Sequence, residues 1–183
     1  MLYAVYFSRY KLLKLNKMTN KERALMVAEK AHNNQNYDIY PYMYHIRQVV
    51  KIAEELGYDE SIIIASVLHD TLEDTALSYN DIKKAFGKEV AEIVYCVTDE
   101  LGRDRNERKE KTYPKIQANW KATVVKICDR IANVSQSKEY NKGLYEMYKK
   151  EHEIFCSRLM SKEHPHEETN KAWNRLGVLL NGI

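Results

Sequence analysis

From residue 18 onward, apolar positions recur three and four residues apart nearly to the end of the chain. That spacing gives a helix one buried face. Thr19 and Glu22 form a capping-box pair ahead of Ala24, Leu25, Ala28 and Ala31, which predicts a first helix. Residues 33 to 41, rich in Asn and closed by Pro41, read as a loop. A second helix is expected from about Tyr42, carrying His45, Val49, Ile52, Ala53 and Leu56 and stopping at Gly57. Asp59 can cap a third, whose apolar run Ile62 to Leu68 leads into His69 and Asp70. Ser78 and Asp81 open a short helix that stops at Gly87, and Val90, Ile93, Val94 and Val97 mark the next. Residues 99 to 111 break the pattern as a polar loop or an exposed helix start. A helix over residues 120 to 134 turns Val124, Ile127 and Ile131 to the core and sets Asp129 and Asn133 one turn apart on another face. Tyr148, His152, Phe155 and Leu159 mark a further helix, and Trp173, Leu176 and Leu180 a last short one.

The pattern holds no internal repeat, no useful strand-like alternation and no dividing linker. It predicts a single all-α domain, a helical bundle, over residues 19–183. Residues 1–18 are apolar and basic but lack the order and cleavage site of a signal peptide. They are expected to be a poorly ordered N-terminal extension, with Met18 as an alternative start. At 183 residues the chain can bury roughly two-thirds of its unfolded surface as one domain. A net charge of +3 is too small to argue for a nucleic-acid surface, and no apolar run is long enough to span a membrane. Three scattered cysteines, Cys96, Cys128 and Cys156, give neither a disulfide framework nor a zinc spacing, which favours the cytoplasm. The oligomeric state is not written in the sequence.

Residues 69 to 74 read His-Asp-Thr-Leu-Glu-Asp. On a continuous helix His69 would stand over Glu73, and Asp70 over Asp74. Such a group at the end of a buried helix is costly without a positive partner, and a divalent cation is the simplest one. His45 and Asp129 fit the same idea. The mixed nitrogen and oxygen donors suit Mn, Fe, Zn or Mg. A cation polarises a phosphoryl oxygen and acidifies water, and a neighbouring carboxylate can take the proton.

These residues carry a resemblance. His45, His69-Asp70 and Asp129 resemble the pattern of the HD superfamily of metal-dependent phosphohydrolases. Leu68 to Thr75, Phe86 to Val94 and Val125 to Asn133 are similar to the hydrolase domain of the RelA/SpoT family and the small alarmone hydrolases. Ala31-His32-x-x-Gln35 and Pro41-Tyr42-x-x-His45 complete the series, which spans about residues 20 to 160 in one order. The resemblance implies an HD-type helical bundle in which His45, His69, Asp70 and Asp129 hold one Mn²⁺. It implies that Glu73 and Asp74 orient and deprotonate the attacking water and that Asn133 contacts the ribose or phosphate region. The implied reaction removes the 3′-pyrophosphate of guanosine tetra- or pentaphosphate, or of a related alarmone. Some relatives act on the 2′-phosphate of NADPH. From another class, the alternative is a protein that sequesters a nucleotide or neutralises a toxin, which would have no need of Glu73 and Asp74.

The chain also departs from that family. An Arg usual two residues after the Gln, and a Gly before Pro-Tyr, are missing from the stretch Gln35 to Pro41, and Ser135 replaces an Arg near Asn133. In the family that first Arg packs on guanine. Tyr37, or Tyr40, is expected to stack on the base instead, with weak discrimination between guanine and adenine. Arg103, Arg108 and Lys126 are candidate phosphate contacts, although acidic residues interleave with the first two. Of the fourteen tyrosines, at least two of Tyr37, Tyr40, Tyr42 and Tyr44 are expected to pack. His32 is expected to be structural and His152 a core residue. His164 and His166 lack the neighbours for a second metal site.

Overall fold

A computed structural model describes residues 18–160 and 167–181. Residues 1–17 and the histidines His164 and His166 lie outside these. The described residues form a helical bundle with one two-stranded hairpin. Helix α1 (Asn20–Ala31) begins as the sequence predicts: Thr19 accepts from the Glu22 amide, and Glu22 returns the bond to the Thr19 amide at 2.8 Å.

The stretch read as a loop contains strands β1 (Asn36–Tyr37) and β2 (Tyr40–Pro41), paired antiparallel. Two residues per strand are too few for visible alternation. The turn between them is made by Asp38 at φ 57°, a conformation that Asp tolerates. Helix α2 (Met43–Glu55) follows at once and buries His45, Ile46, Val49, Val50, Ile52 and Ala53.

Helix α3 (Glu60–Leu68), capped by Asp59, is apolar nearly all round. It is therefore central, packing against α1, α2, the later helix α6 (Lys88–Val97) and α8 (Trp120–Tyr140). Ile62 and Leu68 are fully buried; each stabilises the fold by about 1.5–3 kcal/mol. The expected single helix through residue 74 is broken. It stops at Leu68, and a separate turn α4 (Thr71–Asp74) starts after His69 and Asp70. At the break the buried Thr71 hydroxyl donates to the Leu68 carbonyl at 2.6 Å, a side-chain bond of the kind that bends helices.

Helix α5 (Tyr79–Phe86) has its own capping box from Ser78 and Asp81. Gly87, at φ 93°, ends it and starts α6 without an intervening loop, a conformation that favours glycine. The polar stretch after α6 resolves into a loop and then α7 (Arg105–Gln117), which runs through Pro114. Gly102 lies so close to α7 that an added Cβ would sit 2.8 Å from the Arg108 amide nitrogen.

Helix α8 runs six residues beyond its predicted end and crosses the bundle, burying Val124, Val125, Ile127, Cys128, Ile131 and Val134. Helices α9 (Lys142–Leu159) and α10 (Asn170–Asn181) pack against it. His152 on α9 is half-buried rather than core, its ring beside Cys156 Sγ.

Candidate metal centre

Three pieces of the bundle converge on one point. His45 comes from the first turn of α2, His69 and Asp70 from the break between α3 and α4, and Asp129 from the middle of α8. Both imidazoles are 3% exposed. His45 Nε2 lies 3.2 Å from Asp129 Oδ1 and 3.8 Å from Asp70 Oδ2. His69 Nε2 lies 2.9 Å from Asp70 Oδ2 and 3.8 Å from Asp129 Oδ1. Ligand atoms of His45, His69 and Asp70 fall within 4.8 Å of one another, and Asp129 closes the cluster beside both imidazoles. The pair sits at the break that ends α3, where His69 and Asp70, neighbours that a regular helix would point about 100° apart, both reach the cluster.

The donor set asks for a cation. His69 Nδ1 sits 2.8 Å from the Ser66 carbonyl, which can only accept, so that nitrogen carries a proton. In a neutral ring Nε2 then presents a lone pair, buried and without a hydrogen-bond partner, towards carboxylate oxygens. Lone pair against carboxylate repels unless a positive charge lies between them. Protonation is the other remedy. Burial opposes it most strongly, but Asp70 and Asp129 outweigh burial and push the His69 pKa to about 9. Burial would raise Asp70, yet His69, His45 and a Tyr42 bond hold it well below the usual range. Asp129 is likewise held low, against burial, by His45, Lys126 and His69. Two ionised carboxylates set against two buried imidazoles fit a divalent ion, which would take the place of the His69 proton.

A shell of side chains orients the cluster. Tyr42 donates to Asp70 Oδ2 at 2.7 Å and stands 3.3 Å from Asp74 Oδ2. His32 stacks on Tyr42 at 4.5 Å and pairs through Nδ1 with Gln35 at 2.6 Å. The Tyr37 ring lies on His45, 4.6 Å between centroids and 19° between planes. Its hydroxyl donates to Asn133 Oδ1 at 2.7 Å, and Asn133 Nδ2 donates to Asp129 Oδ1. Tyr40 and Tyr44 pack on each other at 4.4 Å.

A cleft of about 230 Å³ opens beside the cluster. Asp129, Asn133, Lys126 and Glu73 line it on one side, and Arg105, Arg108, Lys109 and Arg130 add positive charge. The Asp99 amide donates to Glu73 Oε2 at 3.1 Å, while burial, the largest influence, raises the Glu73 pKa. Asp74 does not line this cleft; it faces Tyr42, and its pKa is raised by burial and by Asp70. Lys126 Nζ stands 3.6 Å from Asp129 Oδ2. The candidates are thus divided. Glu73, Lys126, Arg108 and Asn133 share the cleft with Asp129, whereas Tyr37, stacked on His45, does not line it and Arg103 is left out, 90% exposed and paired with Glu107. The sequence places Arg105 and Lys109 in the same basic stretch, Arg103 to Lys115, without singling them out, and gives no sign of Arg130. The signal for two of them was present: Arg105, Arg108, Lys109, Thr112, Tyr113 and Ile116 all line the cleft at spacings that make one helical face. Arg130 is held by Glu151 at 3.1 Å and stacks on Tyr148 and Phe155 at 4.3 and 4.8 Å.

The HD domain family profile matches residues 24–155. An Aquifex aeolicus protein named guanosine-3′,5′-bis(diphosphate) 3′-pyrophosphohydrolase is 35% identical over 119 residues, covering 62% of this chain and 17% of that protein. The Drosophila melanogaster pyrophosphohydrolase of the same description, MESH1, is 33% identical over 97 residues, covering 51% of this chain and 54% of its own. The chain therefore spans about half the length of the latter relative and a much smaller share of the former. A solved structure of a metazoan ortholog of SpoT, described as hydrolysing ppGpp, superposes with a TM-score of 0.72 at 22% identity. It covers 90% of this chain and 96% of that one, a likeness of fold.

Proposed function

The chain belongs to the HD domain family, and from that premise we propose that it is an Mn²⁺-dependent hydrolase that removes the 3′-pyrophosphate from guanosine tetra- or pentaphosphate or a related alarmone. The observation that carries this reading is the orphaned His69 Nε2 among two ionised carboxylates at the edge of a cleft walled by arginine and lysine. The similarity to proteins named as pyrophosphohydrolases supports the substrate class.

His45, His69, Asp70 and Asp129 would hold the ion. When bound, it supplies Lewis acidity at the phosphoryl group. The chain's own residues do the rest. Glu73, steadied by the Asp99 amide that donates to it, accepts the proton of the attacking water. Asp74, sharing the Tyr42 hydroxyl with Asp70, keeps that hydroxyl and the ligand beside it in register. Arg105, Arg108, Lys109 and Lys126 offset the phosphate charge, Arg by paired donors and Lys as a point charge. Asn133 reaches the ribose or phosphate region. Tyr37 remains our candidate for the base, on the strength of its place in the sequence where the family's Arg is missing.

A second reading, a phosphatase acting on another nucleotide such as the 2′-phosphate of NADPH, is favoured by the short hairpin without the family's Arg. A sequestering protein would need no base such as Glu73. The three cysteines are free, which supports a reducing, cytoplasmic setting. No helix among the described residues is long and apolar enough to cross a membrane. The test is incubation of the Mn²⁺-loaded protein with guanosine and adenosine alarmones, NADPH and deoxynucleoside triphosphates, followed by mass spectrometry of the products. Release of pyrophosphate from the alarmones supports the reading. Stoichiometric capture without product would replace it with sequestration.

A further inference from the structure

We infer that Tyr37 is a positioning residue for the metal ligands: it fixes His45 through its ring and Asp129 through its hydroxyl by way of Asn133. This inference rests on the metal-centre reading above. The contacts form a closed circuit. The Tyr37 ring is stacked on His45; the hydroxyl donates to Asn133 Oδ1 at 2.7 Å; Asn133 Nδ2 donates to Asp129 Oδ1; and that same oxygen lies 3.2 Å from His45 Nε2. One non-ligand residue thus constrains two ligands that come from different helices, α2 and α8.

The circuit is built locally. Asp38 at φ 57° closes the hairpin turn, and the pairing of Tyr37 with Tyr40 and of Asn36 with Pro41 holds the strand that carries Tyr37. The Tyr40 ring is engaged with Tyr44 instead, so the two hairpin tyrosines have different jobs. Without the Tyr37 hydroxyl, Asn133 loses the partner that fixes its amide orientation, and the bond to Asp129 is no longer enforced. Partners of this kind set ligand orientation, and their loss weakens metal affinity by about 10–100-fold.

The experiment is a calorimetric Mn²⁺ titration of metal-stripped protein without nucleotide, so that base binding cannot contribute. Tyr37→Phe keeps the ring and removes the hydroxyl; it is expected to weaken Mn²⁺ binding about tenfold. Tyr37→Ala, which removes the stack as well, is expected to weaken it further. Asn133→Ala is expected to match Tyr37→Phe. The double variant Tyr37→Phe/Asn133→Ala is expected to add little, because both changes cut one path. Tyr44→Phe, whose hydroxyl bonds Gln136 on the far side of the hairpin, is expected to bind Mn²⁺ as the wild type does. In turnover, high Mn²⁺ is expected to restore the kcat of Tyr37→Phe. Wild-type affinity in Tyr37→Phe, or fully additive losses in the double variant, would overturn the inference while leaving the metal centre intact. A wild-type protein that binds no divalent ion would overturn the metal centre and this inference together.

Discussion

The two walls of the candidate site are made differently. The metal wall is set on α2, on the break after α3 and on α8, the most buried parts of the bundle, and every candidate ligand there touches another polar group of the cluster. The opposite wall is set on α7, a largely polar helix that contributes Tyr113 and Ile116 to the core and presents Arg105, Arg108 and Lys109 to the cleft. A buried cluster has few alternative arrangements, so removing one member leaves uncompensated charge. A row of half-exposed cations shares its work, and solvent screens each member. The first wall should therefore respond to substitution in an all-or-none way and the second by degrees.

The largest effect is expected at His69. His69→Ala should remove both bound metal and turnover, read by elemental analysis and product release. Retention of full metal content would take His69 out of the centre and erase the contrast between the walls. Next comes Glu73→Gln, which should lower the rate about 10²–10⁴-fold while metal content holds, because it removes a proton acceptor and no ligand. Asp74→Asn should cost less, since Asp74 does not line the cleft. Equal losses at the two positions would restore them to a joint role.

On the α7 wall, Arg108→Ala should raise the nucleotide KM about tenfold, the value of one charge-assisted hydrogen bond, with kcat little changed. A total loss would show that the cations act as a unit after all. Glu151→Gln tests the support beneath that wall. Glu151 binds Lys109 at 2.9 Å and Arg130 at 3.1 Å, and Arg130 is buried. The variant should lose about 1–3 kcal/mol of stability in denaturant unfolding. Burial alone would raise the Glu151 pKa, but Lys109 and Arg130 outweigh it and hold it below the ordinary glutamate value. The carboxylate's contribution is therefore complete above the unfolded-state pKa and disappears as pH falls through the lower folded-state one. The gap between wild type and variant should close across that acid window. A gap independent of pH would assign the effect to packing. Smallest of all is Arg103→Ala, expected to change KM less than twofold, because Arg103 points away to Glu107.

The same division governs what the sequence reveals. The helices that carry the metal wall have strong apolar periods and capping residues, such as Asp59 ahead of α3, so the pattern alone puts His45 and Asp129 on their helices and His69-Asp70 at the end of α3. The stop at Leu68 is hidden, because Thr71-Leu72-Glu73-Asp74 has nothing against continuing a helix. The hairpin is hidden because two-residue strands leave no period to read. On α7 the apolar content is too low to show a buried face, and Pro114 argues against a helix at all. Only the phase of its basic residues marks the cleft side, and that phase selects Arg105 and Lys109 over the Arg103 that sequence favoured.

The central claim is that a divalent ion held by His45, His69, Asp70 and Asp129 is required for hydrolysis. The direct measurement is pyrophosphate release from guanosine tetraphosphate by one preparation as purified, after chelation, and after reloading with Mn²⁺. The account predicts loss of turnover on chelation, recovery on reloading, and one ion bound per chain at full recovery. Turnover that survives complete removal of metal, or a chain that binds one ion and releases no pyrophosphate, would contradict it.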